Sequence, residues 1–165
     1  MPGQREITVT IPPGAGDGTR LRSAGEGEAG FHRGPRGDLY VRVEIEADPF
    51  FKREGQTLVC EAPVTFAEAA LGAKVTVPTL DGVAKLTIEP GTQTGAQLRM
   101  RGLGLPPLGG GPRGDEIVKV MVEVPRKLTS EQKRLLREFD GNYEPASHTV
   151  RDAFRALLKR LRGSD

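Results

Sequence analysis

The chain says the same thing twice. Residues 10–38 and 87–115 align without a gap at a constant offset of 77, and 14 of these 29 positions are identical. The matches include Pro13/Pro90, Gly14/Gly91, Gly18/Gly95, Leu21/Leu98, Arg22/Arg99, Gly25/Gly102 and the whole GPRGD block at 34–38 and 111–115. Such a repeat constrains the architecture to tandem modules of one topology. Two modules in 165 residues are each near the size at which a lone hydrophobic core is only marginally stabilising. Paired modules are more often a holding scaffold than a single-site enzyme, so function is sought on their surfaces.

The interior these modules can build is limited by composition. Trp is absent and aromatic residues are 5% of the chain, which leaves Val, Ile and Leu to fill the cores. The 22 Gly and 13 Pro punctuate periodic segments rather than forming low-complexity tracts, as expected for many turns. Cys60 is the single cysteine, so an intramolecular disulfide and a Cys-rich zinc site are excluded. It lies in an apolar-periodic run and is read as a buried structural thiol. Neither a leader peptide nor an apolar run of spanning length is present, and the expected compartment is the cytoplasm. The net charge of +2 is uneven: residues 126–165 carry ten Lys/Arg against six Asp/Glu. A solvated basic helix face is the plain reading of that tail.

Alternation with a period of two dominates the first 125 residues. Ile7, Val9 and Ile11 alternate with Glu6, Thr8 and Thr10, and Leu39, Val41, Val43 and Ile45 with Tyr40, Arg42, Glu44 and Glu46. The pattern returns at Ala84, Leu86 and Ile88 and at Val118, Val120, Val122 and Val124. Residues 57–65 and 74–78 add two strands joined by FAEAALG (66–72), a helical turn stopped by Gly72. Leu80-Asp81-Gly82 supplies a hairpin signal. Each strand has one face toward a core and one toward water. Long helices do not alternate with these strands, which argues against a parallel α/β sheet. The predicted fold is mainly β: two tandem small antiparallel β-sandwich modules.

After Pro125 the period changes to that of a helix. Thr129 with Gln132 forms a capping box, followed by Leu135, Leu136 and Phe139, and Gly141 and Pro145 end the segment. Thr149 and Asp152 offer a second box ahead of Val150, Phe154, Leu157, Leu158 and Leu161, up to Gly163. A helix this short is marginal alone in water and needs a surface to dock on.

Motifs that suggest chemistry fail on context. Gly25-x-Gly27-x-x-Gly30 matches a dinucleotide fingerprint, but the next segment is a loop and strand rather than the helix that would hold a pyrophosphate. Arg-Gly-Asp at 36–38 and 113–115 leads directly into a strand in both modules and is read as turn structure. His32 and His148 each lack a metal-ligand partner at useful spacing, and no triad signature occurs. The remaining signal is apolar and positional. Ile7 and Val9 lie in the first predicted strand, near a sheet edge, where an extended peptide can add as a further strand. Phe50 and Phe51 sit at the hand-over between modules, one expected in a core and the other available to line a groove.

Five blocks then resemble, in order, the C-terminal substrate-binding region of DnaJ-type co-chaperones. They are IPPGAGDGTRLRSAGEGEAG (11–30), RGDLYVRVEI (36–45), PFFKREGQTLVCEAPVTFAEAALGAKVTVPTLDG (49–82), QTGAQLRMRGLG (93–104) and LTSEQKRLLREF (128–139). The resemblance implies a first peptide-binding β module at 1–52, a second β module at 53–126 and C-terminal dimerisation helices at 127–165. It implies a non-enzymatic chaperone that binds unfolded polypeptide by strand addition beside a hydrophobic pocket, prevents aggregation, and delivers clients to a DnaK-type ATPase in the full-length protein. Carried over to this sequence, the pocket positions are Ile7 and Phe51, with Val9 and Leu39 added from alternation alone. Leu135, Leu136, Phe139, Phe154, Leu157 and Leu158 are the dimerisation candidates.

The departures from the family pattern are as informative. No His-Pro-Asp tripeptide marks a J-domain, and no CxxCxGxG repeat marks the family's zinc-binding insertion, so no cofactor is expected. In the family part of the first module precedes that insertion. Met1-Pro2-Gly3-Gln4 is therefore read as a truncated start, with module one lacking its leading strands and module two complete. The expected partners are unfolded client polypeptides, a DnaK-type ATPase reached through the missing J-domain, and a second copy of the chain. Neither membrane nor nucleic acid is expected. The alternative is an assembly module that dimerises but has lost peptide capture.

Overall fold

The computed structural model describes residues 6–30, 34–143 and 149–162. It divides into two compact units, Met1–Val124 and Pro125–Asp165. The first carries β1 (Arg20–Ser23), β2 (Leu39–Arg42), β3 (Phe51–Glu54), β4 (Thr57–Thr65), α1 (Phe66–Leu71), β5 (Ala73–Thr79), β6 (Gly82–Ile88), β7 (Gln97–Met100) and β8 (Glu116–Glu123). The second carries α2 (Ser130–Gly141) and α3 (Val150–Arg162).

The sequence repeat survives as a repeat of hydrogen bonds. Arg20–Ser23 pairs antiparallel with β2, and Arg20 faces Arg42 as Gln97 faces Lys119 across β7–β8. The Gly18 N–H donates to the Val43 carbonyl at 2.8 Å, and the Gly95 N–H donates to that of Val120 at 2.7 Å. The Gly27 N–H donates to the Gly37 carbonyl at 2.8 Å, as the Gly104 N–H does to that of Gly114 at 2.9 Å. Only glycine serves at these crossings: a Cβ on Gly27 would lie 2.7 Å from the Asp38 carbonyl oxygen, and one on Gly104 would lie 2.5 Å from that of Asp115. The RGD aspartates close both turns. Asp38 accepts from the Gly25 N–H at 3.1 Å and Asp115 from the Gly102 N–H at 3.0 Å, and each pairs with the arginine of the preceding strand, Arg22 or Arg99.

Module two is the better enclosed. Its four strands run in the order β3-β4-β8-β7, and β5 and β6 form a separate hairpin. One face of the larger sheet supplies Cys60, Ala62, Val64, Val118 and Val120, and the hairpin supplies Val77, Leu86 and Ile88 to the same buried cluster. Thr65 caps the intervening α1, accepting from the Glu68 N–H at 3.1 Å while the Glu68 carboxylate accepts from the Thr65 N–H at 2.8 Å. Ala69 of α1 joins the core.

The mainly-β fold is as expected, with one difference in the sheet. β4 and β8 are parallel neighbours, with Leu58 opposite Glu116 and Thr65 opposite Glu123. About fifty residues, including the β5–β6 hairpin and β7, separate the two strands and permit the crossover that a parallel pair requires.

Three local expectations are corrected. Residues 6–12 adopt no strand, so Ile7 and Val9 do not sit on one; alternation specifies faces, but a strand forms only where a ladder partner is present. β2 stops at Arg42, short of Val43 and Ile45, because β1, its single partner among the described residues, reaches only from Arg42 to Leu39. Phe51 and Lys52 belong to the second module's sheet, since β3 pairs with β4; the sheet boundary falls ahead of Phe51 rather than after Lys52.

The modules also touch. The Arg53 guanidinium donates to the Ala15 carbonyl at 2.9 Å and the Gly14 carbonyl at 3.3 Å. Gly14 approaches the backbone of Pro107 and Leu108 so closely that a Cβ would lie 2.5 Å away, whereas its repeat partner Gly91 faces open space.

In the second unit both caps expected from the sequence are present. Thr129 accepts from the Gln132 N–H at 3.2 Å and Thr149 from the Asp152 N–H at 3.2 Å. His32 and His148 lie outside the described residues.

Candidate functional site

An open groove lies on the outer face of module two's four-stranded sheet. Alternation sends Leu58, Cys60, Ala62 and Val64 inward and leaves Val59, Glu61 and Pro63 on the other side of β4. Lys52 and Glu54 of β3, Gln97 of β7 and Lys119 and Met121 of β8 join them around an open groove of about 610 Å³. Glu61 stands opposite Lys119, and Pro63 opposite Met121, across the parallel pair. The floor is therefore a mixture of apolar and charged groups.

Phe50 lines this groove and is 72% exposed. A turn holds it there: the Asp48 carboxylate accepts from the N–H of Phe50 at 2.7 Å and of Phe51 at 2.9 Å. These two donors keep the Asp48 carboxyl below its ordinary pKa, because they bond the charged form. The turn leads into β3, the end strand of the sheet, whose outer backbone edge is open to another strand among the described residues.

The four expected pocket residues lie on different segments of the chain. Ile7 and Val9 are half-buried in irregular chain, Leu39 is half-buried in β2, and Phe51 lies in β3 of the other sheet. Phe51 packs against the buried core, opposite Cys60. The two phenylalanines thus divide at the Asp48 turn, Phe51 toward the core and Phe50 into the groove. Val59, Pro63 and Met121 were missed by sequence reasoning; the signal available for them was the outward half of the β4 and β8 alternation.

The interior holds one polar pair. Glu116, with 0% of its surface exposed, accepts a hydrogen bond from the Cys60 thiol at 3.2 Å, and its other carboxyl oxygen has no partner. Burial pushes the Glu116 pKa up against a small opposing effect of the thiol bond. Burial, with the adjacent carboxyl, pushes Cys60 up to about 12. At neutral pH this cysteine is a protonated thiol and not an activated nucleophile. Glu116 occupies the repeat position of Leu39, where module one has a half-buried apolar side chain and no carboxyl. Among the described residues no group of three or more His, Cys, Asp or Glu could hold a metal ion.

The helices present apolar stripes. Leu135, Leu136 and Phe139 of α2 are exposed, and the Phe139 ring lies 5.7 Å from that of Tyr143. Phe154, Leu157 and Leu158 of α3 are exposed as well. Among the described residues no helix is long and apolar enough to cross a membrane.

Comparison with known proteins bears on this arrangement. A family model described as DnaJ C terminal domain matches residues 2–125. A chaperone protein DnaJ from Caldicellulosiruptor saccharolyticus is 46% identical over 159 residues, covering 92% of this chain and 41% of the relative. One from Desulfitobacterium hafniense is 53% identical over 135 residues, covering 82% and 36%, and one from Bacillus mycoides is 50% identical over 154 residues, covering 93% and 42%. The chain spans about two fifths of the length of these relatives.

Proposed function

Because this chain belongs to the DnaJ C-terminal domain family, we propose that it is the client-holding and assembly part of a co-chaperone and not an enzyme. The observation that carries this reading is the groove beside an open sheet edge, with Phe50 exposed in its lining. An unfolded segment adds to the edge of β3 through main-chain hydrogen bonds and sets an apolar side chain against Phe50 and Met121. The mixed Glu61 and Lys119 floor tolerates many sequences, as a holding surface must. Ile7, Val9 and Leu39 of the first module remain proposed contacts together with Phe51 of β3, which acts by packing that strand in place.

Affinity for one client segment is modest, because the client gives up conformational freedom on ordering. A second copy compensates by raising the effective concentration of binding surface. Leu135, Leu136 and Phe139 of α2 are proposed to hold that copy; Phe154, Leu157 and Leu158 of α3 lie in a more cationic helix. Delivery of clients to a DnaK-type ATPase, in the cytoplasm, belongs to the longer protein in which such a region works with a J-domain.

The test is suppression of aggregation of a chemically denatured client. Phe50→Ser combined with Met121→Ser weakens suppression at least fivefold while leaving the unfolding transition in place. Phe51→Ala is the less discriminating variant, because it also removes core packing. A second reading, assembly without capture, is favoured by the exposed α2 stripe. It is supported if the intact chain dimerises but suppresses nothing, and it fails if a chain cut after Arg126 still sediments as a dimer.

A further inference from the structure

We propose that α3 is a surface-seeking helix that lies on anionic lipid bilayers. At 100° per residue, Val150, Phe154, Leu157 and Leu158 fall on one arc of the helix. All four are exposed, Val150 by 88%. Around them the helix carries Arg151, Arg155, Lys159, Arg160 and Arg162 against Asp152 alone, a net charge of +4 in 13 residues. Asp152 is engaged in the cap, where it accepts from the Thr149 hydroxyl at 2.7 Å.

The contrast with α2 selects the occupant. α2 has an apolar stripe too, but balances Lys133, Arg134 and Arg137 against Glu131, Glu138 and Asp140, and Arg134 bridges Glu131 at 2.6 Å and Glu138 at 3.1 Å. A neutral face can meet its own copy across a two-fold axis. Two α3 helices meeting that way bring +4 against +4, and like charges across an interface are strongly disfavoured. An anionic bilayer satisfies both halves of α3: its acyl boundary takes Phe154 and the leucines, and its headgroups take the arginines. Nucleic acid would use the cations and leave the apolar stripe in water. Thirteen residues span about 20 Å, too short to cross a bilayer and suited to lying along one. The departure from the sequence expectation of no membrane partner comes from charge placement, since such a helix needs no long apolar run.

The test uses the whole 165-residue chain and sedimentation with vesicles. Expected are binding to phosphatidylcholine vesicles that contain phosphatidylglycerol, none to phosphatidylcholine alone, and release by salt. Arg155→Gln with Lys159→Gln weakens binding roughly twentyfold, at about fivefold per cation near an anionic surface. Phe154→Ser abolishes it and leaves self-association and the unfolding of the β unit unchanged. The proposal is overturned by binding to neither vesicle or equally to both. It is also overturned if Phe154→Ser dissociates a dimer, or if DNA competes for the chain with an affinity that Phe154→Ser does not alter.

Discussion

Ile11 and Ile88 occupy the same position of the repeat, yet the first is 62% exposed and the second 1%. Around them the main turn bonds correspond, from the Gly18 and Gly95 donors to the Asp38 and Asp115 caps. What differs is company. Ile88 sits in a strand paired with β5, over a sheet in which β8 has a neighbour on each side. Ile11 sits in unpaired chain. Turn geometry is local and is copied with the sequence; burial depends on how many strands surround a residue, and the identical residue acquires a different energetic meaning in each setting.

The largest expected effect follows from this pair. Ile88→Ala removes a fully buried side chain from the module-two core and costs about 3 kcal/mol, read as a lower urea midpoint. Ile11→Ala changes stability by less than about 0.5 kcal/mol. Equal losses would break the comparison, because they would show residues 6–12 packed in solution as firmly as β6.

That pair also marks how far the sequence could be read. The offset of 77, the strands at 57–65, 84–88 and 118–123, the helical turn stopped by Gly72 and both capping boxes depend on contacts a few residues apart, and they were legible. Strand partners were not. A period of two reports which face is apolar and is silent on which strand lies alongside, so the parallel β4–β8 pair and the unpaired Ile7–Ile11 segment escaped it. The same gap hid the groove: Val59, Pro63 and Met121 stand on the nominally polar side of their strands and become a site only when β3, β4 and β8 are aligned. For Phe50 and Phe51 the sequence showed that one must turn inward, and the Asp48 turn decides which.

A second, smaller effect comes from a position where module two carries a costlier residue than module one. Glu116 is buried with an unpartnered oxygen, where module one has Leu39. Replacing it, Glu116→Leu, is expected to stabilise module two by about 1–2 kcal/mol at pH 7, by removing an unsatisfied buried polar group. The pH dependence has a definite sign. Its folded pKa lies above the ordinary 4.5, so below 4.5 the carboxyl is neutral in both states and costs no charge burial. As pH rises past 4.5 the unfolded chain ionises first and stability falls, levelling only above the folded pKa. Urea midpoints across that range should decline for the native chain and lose this component in Glu116→Leu.

Arg53 tests whether the modules lean on each other. Its bonds to the Gly14 and Ala15 carbonyls reach from module two's edge strand to module one's first turn. Arg53→Ala is expected to lower local stability of that turn by roughly 1 kcal/mol, seen as faster amide exchange at Gly18 and Thr19. Exchange at Val118 and Val120 should not move. Faster exchange at both places would mean that the modules unfold as one cooperative body.

The smallest difference separates the two aspartate caps. Asp38 holds the Gly25 N–H and Arg22, and these partners, the Gly25 N–H foremost, keep its carboxyl below the ordinary 3.8 against the opposing effect of burial. A depressed folded pKa contributes stability above 3.8 that is lost as pH falls through the folded value. Acid should therefore release the Gly25 amide, and Asp38→Asn should lose that response. Asp115 makes the equivalent bond to Gly102, but its turn has further support. The Leu105 N–H donates to the Gln56 carbonyl at 2.8 Å, and Arg113 bonds both the Gly104 carbonyl and Asp81 at the tip of the β5–β6 hairpin. Asp115→Asn is accordingly expected to change exchange at Gly102 less than Asp38→Asn changes it at Gly25. If the two substitutions act equally, the turns are held by their own local bonds alone, and the surrounding strands matter only for the core.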